Sequence, residues 1–123
     1  MQRTHTLGWV LALALSAPAQ ADMAAAKKWL RSEFATSAIT PQQQLREMAW
    51  FVDAAKPYQG MTVRVASEQI GTHFYERDVL AKAFSEITGI NVIHETIPEG
   101  KLVDTLFEQM NSGRNFYDAY VND

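Results

Sequence analysis

From Met61 onward the apolar positions change period several times, and each change is marked by a turn residue. Val63 and Val65 alternate with polar neighbours inside 61–67, which is the two-residue period of a β-strand. Val79, Leu80, Ala83, Phe84 and Ile87 then recur at the spacing of one helical face. Gly89 stands where a left-handed C-terminal cap would close that helix. Residues 90–93 are short and β-branched, the composition of a second strand. Leu102, Val103, Leu106, Phe107 and Met110 repeat the helical spacing, Gly113 closes that helix, and 116–121 supplies a third strand.

Two strand-helix-strand units in series predict an α/β fold, with parallel strands joined by right-handed crossovers. In the order 2-1-3, strand one is central and the helices flank the three-stranded sheet on opposite faces. A crevice then opens at the C-terminal ends of strands one and three, where the outgoing connections diverge. Residues 67–73 line it from one side and Asn122 and Asp123 from the other. The order 1-2-3 would remove that switch point. Arg64 sits awkwardly in a central strand covered on both faces, so it lies near a sheet end or faces a gap.

The first half of the chain reads as helical. Asp22 can cap a helix running to about Phe34, with Ala26, Trp29 and Leu30 on one side. Thr40, Pro41 and Gln43 form a capping-box start with proline at the first helical position. Leu45, Met48, Ala49 and Val52 make the apolar stripe that follows, and Pro57 with Gly60 ends it. Trp50 and Phe51 fall off this stripe, so either they meet a surface outside the chain or the helix is buried on two sides. A boundary near 56–60 divides a helical segment, 22–57, from the βαβαβ part, 58–123.

Residues 1–21 carry a different pattern. Arg3 and His5 form a polar start, residues 7–17 are apolar, and Ala19, Gln20 and Ala21 fit a small-x-small cleavage site. The expectation is a signal peptide cleaved between Ala21 and Asp22, and hence a secreted, periplasmic protein. The apolar run is too short to anchor a chain across a bilayer, so the protein is expected not to be membrane-embedded.

Composition narrows the class. The 123 residues are 47% apolar and 20% charged, which suits one small globular domain. A net charge of -3 and a pI near 5.6 give no pull toward nucleic acid. Cysteine is absent, which excludes disulfides, thiolate metal sites and a lipidated N-terminal cysteine.

The chain lacks the glycine-rich dinucleotide fingerprint, the P-loop and the nucleophile elbow, and no cofactor is expected. Loop 67–73 has one glycine and a polar set suited to hydroxyl recognition: Ser67, Glu68, Gln69, Thr72 and His73. Thr72 can cap the next helix, contact a ligand, or do both. His73, His94, Glu95 and Asp123 lack metal-ligand spacing, so no metal site is expected. His94 reads as a surface or hydrogen-bonded residue at the end of strand two. Asp118 either marks the solvated beginning of strand three or has a partner. Tyr117 and Tyr120 are sheet packing or a sugar-stacking face.

The run 80–92, the helix 102–110, Asn111, Ser112, Gly113, Tyr117 and Asp118 together resemble the first lobe of extracellular solute-binding proteins. These are the periplasmic receptors of ATP-driven (ABC) importers, here their carbohydrate-binding branch. Residues 24–29 and the Ser67, Glu68, Thr72, His73 segment resemble a subgroup that handles sugars or polyols such as glycerol. The resemblance implies a partial periplasmic-binding-protein fold and no catalysis. It implies capture of a small carbohydrate or polyol by Ser67, Glu68, Thr72, His73, Asn122 and Asp123, with delivery to a membrane permease. Relatives of this kind are several times longer and carry a second lobe, so the chain is expected to be an N-terminal fragment. The alternatives are a small secreted hydrolase using His73 with Glu68 or Asp123, and a non-functional remnant.

Overall fold

A computed structural model describes residues 21–121. Residues 1–20 of the expected signal peptide, and Asn122 and Asp123 of the expected site, lie outside the described residues.

Helix α1 (Met23–Arg31) begins where the Asp22 carboxylate accepts from the Ala24 amide at 2.7 Å. It ends three residues before the expected Phe34. The Ser32 hydroxyl there donates to the Lys28 carbonyl at 3.0 Å and so competes with continuation of the helix. Helix α2 (Pro41–Ala55) opens on the expected capping box, with Thr40 and Gln43 bonded reciprocally. A single 3₁₀ turn (Lys56–Tyr58) then leads to Gly60, whose φ of 81° turns the chain into the sheet.

Strand β1 (Thr62–Glu68) is followed by one long helix in three parts: α3 (Gly71–Tyr75), a π-helical turn (Glu76–Leu80) and α4 (Ala81–Thr88). Gly89 closes it with φ 72°, in the expected left-handed cap. Strand β2 (Asn91–Ile97), helix α5 (Glu99–Ser112) and strand β3 (Ala119–Val121) complete the order, and Gly113 caps α5 at φ 65°.

The sheet is β2-β1-β3 and parallel throughout, the predicted arrangement. Thr62 pairs with Asn91 and Glu68 with Ile97, while Val65 to Ser67 pair with Ala119 to Val121. Side chains alternate across the sheet. Ala66 joins Leu102, Leu106 and Tyr117 in the α5-side core, with Ile97 packed against it. Val65, Ser67, His94 and Thr96 therefore face α3 and α4. The second, smaller core lies between α4 and the helical segment, through buried Ala26, Ala55, Ala83 and Ile87.

Several expectations shift in detail. Strand β2 is longer than 90–93, running through His94, Glu95 and Thr96 because each polar side chain finds a partner. Strand β3 is shorter than 116–121. Asp118 ends up just before it, its amide donating to the Arg64 carbonyl and its carboxylate accepting from the Arg64 amide at 2.8 Å. Arg64 is accommodated on the α5 side by Glu95 at 3.7 Å and by the Phe116 ring, 4.7 Å from its guanidinium. On α2, Phe51 turns toward α4 and meets Phe84 edge-on at 6.5 Å, whereas Trp50 is 64% exposed. Of the α5 stripe only Leu102 and Leu106 are buried; Val103, Phe107 and Met110 line an open groove with Tyr120.

Candidate functional site

The C-terminal tips of β1 and β2, with the start of α3, gather the polar loop predicted from sequence. Their side chains divide between the two faces of the sheet. Ser67 is fully buried and points toward α4, where its Oγ lies 2.7 Å from His94 Nε2. It is thereby turned away from the expected crevice. Glu68, one residue on, faces the α5 side at the end of the central strand and is 7% exposed. Its carboxylate has no hydrogen-bond or ion-pair partner among the described residues.

His73 is buried, and its Nδ1–H donates to the Glu68 carbonyl at 3.1 Å, which ties the first turns of α3 to the tip of β1. Thr72 is exposed at the second position of α3. It does not cap the helix: the N-cap residue is Ile70, which makes no side-chain cap bond. Gln69 reaches sideways to the Thr96 carbonyl at 3.2 Å. Asp78 lies in the π turn, held by the Arg77 guanidinium at 2.7 Å, which keeps its carboxyl below the usual carboxylate range.

The sequence reading missed Glu76, Arg77 and Thr96. Arg77 Nη1 donates to Thr96 Oγ1 at 2.9 Å, and Glu76 Oε2 is buried with no hydrogen-bond partner among the described residues. The spacing gave no clue to them, because they meet only when the helix folds back over β2. Tyr117 resolves to packing: it is a core residue whose hydroxyl reaches Glu95, and burial followed by that carboxylate raises its pKa to about 12.

No group of three or more metal-ligating side chains converges among the described residues, and none of their helices is long and apolar enough to cross a membrane. A cleft of about 290 Å³ between α1 and α2, lined by Leu30, Leu45, Lys27 and Arg31, lies away from the sheet tips. It has shape without convergent buried polar groups, so the tip of β1 remains the place where recognition chemistry concentrates. Comparison of the chain with protein-family models, characterised proteins and solved structures finds no match.

Proposed function

We propose that this chain is the first lobe of a periplasmic solute-binding protein serving an ABC importer. It captures a small carbohydrate or polyol and delivers it to a membrane permease. The observation that carries this reading is Glu68: a carboxylate at the C-terminal tip of a central parallel strand, largely buried and without a partner among the described residues. Unlike Glu76 Oε2, its oxygens are not sealed off without a partner, so a ligand can reach them. A hydroxyl-rich solute at the switch point would supply the missing donors, because a carboxylate accepts hydrogens from two hydroxyls. Thr72, exposed in the first turn of α3, would serve as a further hydroxyl partner. Ser67 and His73 would act from behind, Ser67 through His94 and His73 by fixing the Glu68 backbone. Asn122 and Asp123 complete the proposed contact set.

A hydrolase built on His73 is the weaker reading, since the imidazole is buried and its Nδ1–H is committed to a backbone carbonyl. One lobe gives weak affinity, so the test is an amide chemical-shift titration with sugars and polyols at millimolar concentration. Shifts centred on residues 67–73, abolished in Glu68→Ala, are expected. A panel that leaves those amides unmoved overturns the reading.

A further inference from the structure

The cleft between α1 and α2 combines apolar walls with a positive rim, and the tip of β1 has neither. Its volume of about 290 Å³ is near the lower end of the range for small-molecule pockets. Leu30 of α1, Ala35 of the connection and Leu45 of α2 supply apolar surface, and Lys27 and Arg31 line it from α1. The two cations are four residues apart and therefore share one face of the helix. Neither has an ion-pair partner among the described residues, whose ion pairs are Lys28–Glu86, Lys56–Asp53, Arg64–Glu95 and Arg77–Asp78.

Arg31 in the last turn of α1 complements the helix dipole. That accounts for one cation there. It does not account for a second like charge one turn back, which repels the first, nor for apolar surface left open between both and α2. Across the cleft, Pro41 and Gln44 belong to the first turn of α2, the positive end of its dipole. The Gln44 side-chain nitrogen donates to the Phe34 carbonyl at 2.9 Å, which ties the connection to α2 and fixes that wall.

We propose that this cleft binds a short single-chain carboxylate amphiphile, its alkyl chain against Leu30 and Leu45 and its head beside Lys27 and Arg31. A guanidinium takes a carboxylate through two parallel bonds, and the Lys27 ammonium adds a second charge. The head relieves the repulsion between the two cations, and the chain removes apolar wall from water. Both halves are needed. At an exposed rim a charge pair alone is weak and screened by salt, and so small an apolar wall holds an uncharged chain poorly. The neighbouring cleft between α2 and α4 is the contrast: Phe34, Met48, Phe51 and Phe84 line it, and no charged residue does.

The test is an amide chemical-shift titration of the whole chain with octanoate at millimolar, submicellar concentration, beside octanol and acetate. Octanoate is expected to shift the amides of Leu30, Arg31, Ala35, Gln44 and Leu45 and to leave those of 67–73 unmoved. Octanol has the chain without the charge, acetate the charge without the chain, and each should bind severalfold more weakly. Arg31→Gln should weaken octanoate about fivefold and leave octanol unchanged, whereas Leu45→Ser should weaken both. Both side chains are exposed, so neither substitution threatens the fold. The proposal is overturned if octanoate leaves these amides unmoved, if octanol or acetate matches octanoate, or if the shifts centre on the Phe51–Phe84 cleft instead.

Discussion

The Tyr117 hydroxyl donates to Glu95 Oε2 at 2.5 Å across the α5 face of the sheet, joining the approach to β3 to the middle of β2. The same carboxylate meets Arg64 at 3.7 Å, so one acid on an outer strand holds a cation from β1 and a phenol from the loop before β3. The Glu95 side chain is 42% exposed, which limits the worth of the bond. Tyr117→Phe should therefore cost only about 1 kcal/mol, read from urea unfolding.

The same contact sets an alkaline limit. Tyr117 in the folded protein ionises at about 12, above the 10.0 of a free phenol. Its stabilisation is complete below 10 and is lost as pH rises from 10 toward 12. Ultraviolet titration of the phenolate band should show late ionisation from Tyr117 and also from Tyr75, which its hydrogen bond to Glu33 raises, and Tyr117→Phe should remove the Tyr117 part.

Leu102 and Phe107 belong to one apolar stripe in the sequence, yet the first is fully buried and the second 60% exposed. Leu102→Ala should cost about 2–5 kcal/mol, since it opens a cavity against Ala66 and Tyr117. Phe107→Ala should stay within about 0.5 kcal/mol of neutral. Equal losses at the two positions would mean that α5 is rotated from the orientation described.

Gly113 and Gly100 should respond oppositely to alanine. A methyl group meets nothing within 4 Å at either position, so backbone conformation alone decides. Gly113 holds φ 65° and should lose about 1 kcal/mol. Gly100 has no such requirement and lies in the first turn of α5, so alanine should be neutral or stabilise by up to about 1 kcal/mol. Thermal unfolding of the two variants side by side checks the sign.

The start of α2 should depend on its reciprocal cap. Thr40→Ala removes the acceptor for the Gln43 amide and should cost about 1 kcal/mol, with Gln43→Ala losing part of the same amount. The double variant should lose less than the sum of the two, because each half of the box supports the other.

The features legible in the sequence were those enforced locally. Asp22, Thr40, Gly89 and Gly113 each act within a few residues of where they stand, and the alternating periods predicted parallel strands, whose order is the 2-1-3 of the two readings left open. The extension of β2 through His94, Glu95 and Thr96 was not legible. A polar run becomes a strand only once Ser67, Tyr117 and Arg77 arrive from elsewhere to satisfy it. The site was half legible for the same reason. Spacing located the loop after β1, but the one-residue alternation that sends Ser67 to one face and Glu68 to the other depends on the register with β2.

The Gly60 amide donates to the Gly89 carbonyl at 2.8 Å, and the Asn91 amide to the Met61 carbonyl at the same distance. These bonds clasp the two chain reversals that feed β1 and β2, so the alignment of the strands is decided at the opposite rim from Glu68. Exposed positions at the strand tips, such as Thr72, can therefore be exchanged, by evolution or by an engineer, without disturbing that alignment, whereas buried Ser67 and His73 belong to the framework itself.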